Sequence, residues 1–211
     1  MTSGSHMGGS RLPAVSAGLA AAMLLLAGPT MACAQRPATH MGTHQHAVIP
    51  AGASFTAEDV EFMQGMIAHH AQAIHMSRMA QDHRADPRLV RLAEKIGQSQ
   101  VAEIRIMRDW LRRNGQVAPD TSSWRTMQMA GMLTAEQLER LDEATGAEFD
   151  QAFLTLMIQH HEGALQMVNA LFETPGAGQD VDVNVFANDV VSVQTAEIDA
   201  MRRMLSELSD R

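Results

Sequence analysis

Cysteine and tyrosine are almost missing from this chain. Among 211 residues there is a single cysteine, Cys33, and there is no tyrosine. Cys33 lies at the end of an apolar N-terminal stretch, and removal of that stretch as a secretory signal would take away the only thiol. The remaining chain could form no disulfide bond and offer no thiolate to a metal. Any metal would have to be held by His, Met, Asp or Glu.

Aromatic residues are also scarce, at 4% of the chain, whereas methionine occurs 17 times. The flexible thioether of methionine fills irregular gaps in helical cores. This packing role accounts for most of the methionines, but it leaves open a chemical role for those that lie beside histidine.

An excess of basic residues is absent as well. The chain has 24 Asp and Glu against 16 Lys and Arg, which gives a net charge of -8. Because nucleic acid is a polyanion, this balance argues against nucleic acid as a partner.

The first 34 residues predict a secretory signal peptide. Residues 12–32 are nearly all apolar or small, and residues 32–34 fit the small-x-small cleavage rule. The strongest apolar part, residues 19–27, is too short for a transmembrane helix. We expect cleavage after residue 34, a periplasmic or secreted protein, and no transmembrane span in the mature chain. A lipid anchor on Cys33 is the less favoured alternative.

Residues 35–54 lack apolar periodicity and predict a mobile arm, and residues 55–211 predict one all-α domain. The expected helices run from Thr56 to about His83, Pro87 to Asn114, Thr134 to about Ala144, Gly146 to Phe172 and Val183 to Leu208. Side-chain caps are expected from Thr56 with Asp59, from Asp86 before Pro87, and from Thr134 with Gln137.

One helical hairpin occurs twice in the sequence. Seven residues recur 91 positions later: Phe62, Met66, Ile67, His69, His70, Ala73 and Met76 match Phe153, Met157, Ile158, His160, His161, Ala164 and Met167. A second offset of 94 relates the partner helices, where Glu103 matches Glu197. Duplicated hairpins pack most simply as a four-helix bundle.

One face of each repeated helix gathers sulfur and imidazole within an arc of about 120°. The residues on these faces are Met66, His69, His70 and Met76, and Met157, His160, His161 and Met167. Thioether and imidazole together favour copper among biological metals. The alternative is that these are core histidines bonded to buried partners. His75 points away from the face and is expected to be exposed to solvent.

Two further groups of residues are candidate metal ligands. Glu103 and Glu197 lie on core-facing stripes, where a carboxylate needs a partner. They are either ligands or hydrogen-bond partners of the histidines, or they form interhelical salt bridges with arginines. The predicted arm contributes a flexible copper-binding segment, or an ordinary polar linker, through His40, Met41, His44 and His46.

The pattern Phe-x-x-x-Met-Ile-x-His-His-x-x-Ala-x-x-Met, at residues 62–76 and 153–167, resembles that of the bacterial family called domain of unknown function 305. The approach to the second copy, from Met129 through Thr134, resembles it too. The resemblance implies a ferritin-like four-helix bundle and export. For copper-resistance members of the CopM type it implies binding of copper or silver in the periplasm, and it applies to the eight Met and His residues of the two faces.

We therefore expect a periplasmic or exported protein that binds copper ions, with silver as a related cargo, and that sequesters the metal or hands it to a partner protein without catalysis. One alternative is a di-iron oxidase on the same bundle. Such centres use Glu-x-x-His, and no Glu in this chain has His three residues later. The other alternative is a bundle with a purely structural or partner-binding role.

Overall fold

The computed structural model describes residues 47–209. These residues contain five α-helices and no strand, which confirms the all-α prediction. The helices are α1 (Ala57–Met79), α2 (Pro87–Arg113), α3 (Ala135–Glu143), α4 (Ala147–Glu173) and α5 (Val181–Ser209), with a 3₁₀ helix at Thr121–Arg125. None of the described helices is both long and apolar enough to cross a membrane. The predicted signal peptide and residues 35–46 of the predicted arm lie outside the described residues.

Helix starts follow the predicted caps. The Thr56 hydroxyl accepts a hydrogen bond from the Asp59 amide at 3.2 Å, and the Asp59 carboxylate accepts one from the Thr56 amide at 2.8 Å. Thr134 and Gln137 form the same reciprocal pair at α3. Asp86 caps α2, with Pro87 at its first position. These contacts are local in sequence, so the residue types alone reveal them.

The end of α1 differs from the prediction. The helix stops at Met79, four residues before His83. The His83 ring lies 2.6 Å from the carbonyl oxygen of Met79 and 2.8 Å from that of Asp142, and Arg84 adopts a left-handed φ of 54°. A contact between distant parts of the chain therefore ends the helix.

The two hairpins meet through their first helices. Extensive contacts join α1 to α2, α4 to α5, and α1 to α4. A first apolar cluster includes Phe62, Met66, Trp110, Val168 and Phe186, and a second includes Met76, Ile96, Phe149, Phe153 and Met157. Because the start of α1 shares a cluster with the end of α4, these two helices run antiparallel. The finer description as a ferritin-like four-helix bundle stays a prediction.

The segment between the hairpins lies against the first hairpin and α4. The 3₁₀ helix contacts α1, and the Trp124 ring stacks on His75 at 5.0 Å between centroids. His75 is therefore half-buried, and the prediction that it faces solvent is wrong. The cause is the side chain of Trp124, which is distant in sequence and covers this face of α1.

Gly131 and Gly163 allow two backbones to touch. Gly131 has a left-handed φ of 75°, and a Cβ atom added to Gly163 would lie 2.1 Å from the Ala130 carbonyl oxygen. Only glycine fits such a close approach. This contact fixes the segment around Ala130 against α4.

Part of the predicted arm also contacts the helical domain. Ser54 donates a hydrogen bond to the Asp180 carboxylate at 2.6 Å, and the Gln116 amide donates to the Val48 carbonyl at 2.8 Å. Ala47 and Ala53 pack against the first apolar cluster. Residues 47–54 thus lie on the domain that they precede.

We expect Gly163→Ala to destabilise the protein by about 1–3 kcal/mol, because the added methyl group meets backbone atoms that cannot rotate away. Gly97→Ala in α2 is the matched control. Its Cβ would meet only Ser77, at an ordinary 3.5 Å, and should stabilise the helix by about 0.5–1 kcal/mol. Urea unfolding at constant m value measures both. Equal effects of the two substitutions would contradict the proposed backbone contact.

Candidate metal centre

Four buried histidines form a layer where α1 crosses α4. His69, His70, His160 and His161 have no solvent exposure, and we call them the histidine layer. The rings of His69 and His160 lie 3.9 Å apart between centroids. These two residues are equivalent in the sequence repeat, so the repeat brings its two copies together at this point. The layer lies between the first and second apolar clusters.

The outer two rings of the layer bind carboxylates. Nε2 of His70 lies 2.5 Å from Oε2 of Glu103, and Nε2 of His161 lies 2.8 Å from Oε2 of Glu197. The predicted pairing of these glutamates with imidazoles is thus found in both copies, and the alternative of arginine salt bridges is wrong. Glu103 also accepts a hydrogen bond from Ser99. Whether these residues serve a metal stays a prediction.

The pKa of Glu103 lies below its ordinary value. Burial alone would raise this pKa, but the hydrogen bond and charge of His70 outweigh it, with help from the Ser99 hydroxyl. The carboxylate is therefore ionised at neutral pH and accepts the Nε2 proton of His70.

The remaining ring nitrogens of the layer have no partner among the described residues. His69 directs Nε2 to the Ala130 carbonyl oxygen at 3.0 Å. Since a carbonyl only accepts, this Nε2 carries the proton. The buried atoms without a hydrogen bond are Nδ1 of His69, His70 and His161, and both ring nitrogens of His160. The core-histidine alternative explains the bonded nitrogens but not these five.

Burial keeps the central pair neutral. It lowers the pKa of His69 to about 3, with the neighbouring His70 acting in the same direction and the Ala130 carbonyl opposing it in part. Burial also holds the pKa of His160 well below its ordinary value, followed by the effects of His69, His161 and His70. A backbone group of His69 opposes them in part, although its geometry is too poor for a well-formed hydrogen bond. A neutral imidazole is the form that binds a metal ion.

Two methionine side chains meet at Gly65, one helical turn before His69. The Met129 sulfur lies 3.0 Å, and the Met167 Cε 3.4 Å, from the position that a Cβ atom on Gly65 would take. His69 is one turn after Gly65, and side chains of a helix lean toward its N-terminus. The residue next to Met129, Ala130, holds the His69 ring. The Met129 sulfur and the terminal methyl group of Met167 therefore lie about one helical turn from His69.

Sequence reasoning missed Met129. A signal was present in the repeat, because Gly65 stands where the second copy has Leu156, 91 positions later. Glycine there leaves room for a side chain from elsewhere. Met129, which belongs to the segment between the hairpins, takes that space.

The other predicted methionines are core residues. Met66 is fully buried in the first apolar cluster, and Met76 and Met157 are fully buried in the second. Met66 and Met157 lie one turn before His69 and His160, so they border the histidine layer from its two sides. Met167 is only half-buried. The arm residues His40, Met41, His44 and His46 lie outside the described residues.

Within residues 47–209, no three side chains of His, Cys, Asp or Glu converge as a potential metal site by themselves. The arrangement instead combines imidazole nitrogens with neighbouring thioether sulfurs. Such a donor set suits a soft ion, with sulfur and nitrogen preferred by Cu(I).

The model of a known family, domain of unknown function DUF305, matches residues 59–205. This chain belongs to the DUF305 family. The comparison with curated proteins finds no match.

Solved structures agree with this assignment and extend it to the fold. A DUF305 protein from Streptomyces coelicolor, for which secretion is inferred, is 30% identical, with a TM-score of 0.62, and the match covers 72% of this chain and 94% of that one. A DUF305 fragment from Deinococcus radiodurans is 27% identical, with a TM-score of 0.63 and coverage of 72% and 98%. CopM in its Cu(I)-bound form is 28% identical, with a TM-score of 0.56 and coverage of 71% and 96%.

The stability of this DUF305 protein without metal should fall as the pH drops from 6.5 toward 5. The unfolded chain then protonates its histidines, whereas buried His69 and His160 stay neutral, so the unfolded state binds more protons. The loss of stability per ring grows as the pH falls and approaches about 1.4 kcal/mol per pH unit near pH 5. Urea unfolding at pH 6.5, 5.75 and 5 measures the slope. The double variant His69→Leu/His160→Leu should show a clearly smaller slope, and an unchanged slope would contradict the burial of neutral rings.

Proposed function

We propose that this DUF305 protein is an exported copper-binding protein that carries Cu(I) as cargo at the histidine layer, and that it sequesters the metal or hands it to a partner. The observation that supports this most strongly is the set of buried imidazole nitrogens without hydrogen bonds beside two thioethers. Solved CopM structures with Cu(I), Cu(II) and silver support it at the level of the family.

The proposed ligands are His69 and His160, together with Met129 and Met167. The two rings are already in contact, and the Met129 sulfur and the Met167 methyl group lie beside Gly65, one helical turn before His69. Rearrangement of flexible methionine side chains, rather than of helices, would complete the coordination.

Glu103 and Glu197 are proposed to act through the outer histidines. Histidine that binds a metal through one nitrogen commonly donates its other N–H to a carboxylate, which fixes the ring and increases its basicity. His70 with Glu103 and His161 with Glu197 have this arrangement on the Nε2 side. Their Nδ1 atoms form no hydrogen bond within the described residues, and we propose that they serve as ligands in a second step of binding.

The energetics favour binding. A buried polar atom without a partner costs about 1–3 kcal/mol, and the layer holds five such ring nitrogens. His160 has one lone pair for its two nitrogens, so a metal that takes up the lone pairs within this set removes part of that cost. Thioethers bind Cu(I) without a charge and exchange readily, which suits transfer better than permanent storage. We propose no catalytic role.

Removal of the central ligands should abolish high-affinity copper binding. We expect His69→Leu/His160→Leu to lose the tight Cu(I) site, and Met129→Leu/Met167→Leu to weaken it at least about tenfold, since leucine keeps the volume but removes the sulfur. Met204→Leu, on α5, is the control and should bind as the unchanged protein does. Competition with a coloured Cu(I) chelator under reducing conditions measures affinity, and silver serves as a probe that does not change oxidation state.

The assignment would be overturned by undiminished Cu(I) affinity in a quadruple variant. This variant replaces His69, His70, His160 and His161 with alanine. Because the quadruple variant risks unfolding, the two double variants with leucine provide an independent test. Both replace a polar or flexible side chain with an apolar one of similar size in a buried or half-buried position.

Cu(I) should also stabilise the folded protein. A ligand at 100 times its dissociation constant adds about 2.7 kcal/mol to the free energy of unfolding, which for a chain of this size raises Tm by about 5–10 °C. The experiment is calorimetry of the metal-free protein with and without Cu(I) or silver. An unchanged Tm with metal would favour a purely structural bundle, and a rise that survives His69→Leu/His160→Leu would place the metal elsewhere.

A further inference from the structure

A second site lies on the opposite face of α1 from the histidine layer. There α1, α2 and the 3₁₀ helix enclose a cavity of about 390 Å³ that opens to solvent. Arg78, Arg105, Arg108 and Arg125 line it, and we call it the arginine cavity. No Asp or Glu belongs to its lining. In a chain of net charge -8, this gathers four of only 16 basic residues at one place.

These guanidinium groups are not neutralised by the protein. Within the part of the chain that the structure describes, none of the four forms an ion pair with Asp or Glu. Arg108 donates a hydrogen bond to the Pro119 carbonyl at 3.2 Å. The pKa of the neighbouring Asp120 is lowered mainly by hydrogen bonds from Ser122, and Arg108 adds a smaller effect in the same direction. Arg125 lies over the Trp124 ring at 4.6 Å. Arg78 and Arg105 keep all their donors for water or a ligand.

The walls of the arginine cavity suit a small organic anion. The Trp124 ring, stacked on His75, forms a flat side, and Ile74 and Ile104 supply an apolar floor. Thr121 and Ser122 add hydroxyl groups at the rim. Guanidinium groups bind carboxylate and phosphate through paired hydrogen bonds. The volume falls within the range of about 300–1,000 Å³ that small-molecule sites occupy.

We propose that the arginine cavity binds a small multivalent anion that carries carboxylate or phosphate groups, with Arg78 and Arg105 as the principal contacts and Trp124 as a flat wall. This site is separate from the proposed copper centre and does not depend on it. Citrate represents the polycarboxylates, and pyrophosphate represents the phosphates. Comparison of the affinities for citrate and pyrophosphate shows whether the cavity prefers carboxylate or phosphate groups.

The two tryptophans of the chain provide an NMR reporter of binding at the cavity and an internal control. Trp124 lines the arginine cavity, whereas Trp110 is buried and donates its indole N–H to Asp180 at 3.1 Å. In two-dimensional NMR of metal-free protein labelled with nitrogen-15, the Trp124 indole signal should shift saturably with citrate or pyrophosphate, while the Trp110 signal should not. The variant Trp124→Phe assigns the two signals.

Two double variants with the same change of charge test the specificity. Arg78→Gln/Arg105→Gln removes two cavity arginines, and Arg91→Gln/Arg203→Gln removes two exposed arginines outside the cavity. We expect the first to raise the Kd of the better anion at least about tenfold, because each lost contact is a charged hydrogen bond. The second should change the Kd less than about twofold, since its effect is only a distant charge screened by salt.

Three results would overturn the proposal. One is the absence of a saturable Trp124 shift with either anion. Another is an equal loss of affinity in both double variants, which would mean attraction by overall charge rather than a site. The third is a shift of Trp110 that matches that of Trp124. Because all four substituted arginines are exposed, the variants should still fold. The single variant Arg105→Gln provides a second measurement and should show an intermediate loss of affinity.

Discussion

The contact between His69 and His160 is the constraint around which this fold is arranged. It places two imidazoles 3.9 Å apart at the crossing of α1 and α4, out of reach of solvent. Neutral rings can share that space, whereas two imidazolium ions would repel one another in a medium of low dielectric constant. The requirement that both rings stay neutral explains where the polar groups around them lie. The two glutamates approach only the outer rings, and a backbone carbonyl approaches the central His69.

Sequence alone predicts the parts of the molecule that depend on local chemistry. The starts of α1, α2 and α3 rest on side-chain caps within three residues, and the pairing of Glu103 with His70 follows from helical periodicity and the cost of a buried carboxylate. The end of α1 could not be predicted in this way, since it depends on a contact between His83 and Asp142. The repeat shows a missing side chain at Gly65 but not which residue fills the space, because the position of Met129 depends on the approach of two backbones at Gly131 and Gly163.

Duplication produced two similar halves, but the segment between them makes their chemistry unequal. The His69 ring is held by the Ala130 carbonyl, whereas both nitrogens of its counterpart, His160, have no partner within the described residues. Gly65 leaves space for a methionine sulfur, whereas its counterpart in the second copy, Leu156, has a large side chain of its own. A fixed ring with one free nitrogen thus faces a ring that can offer either nitrogen. This asymmetry supports the proposal of a single metal site at the crossing rather than two equal sites.

A polar layer in a helical core weakens the fold unless something else compensates. The cost here extends beyond the rings, because Oε1 of Gln100 and both amide atoms of Gln194 are also buried without hydrogen bonds. Gln100 and Gln194 occupy equivalent positions, one turn before Glu103 and Glu197. Both copies of the repeat therefore contain buried amide atoms without hydrogen bonds. Apolar clusters on the two sides of the layer supply the compensating burial. Since net stability is only about 5–15 kcal/mol, a layer with this many unpaired atoms persists most readily when a ligand relieves it.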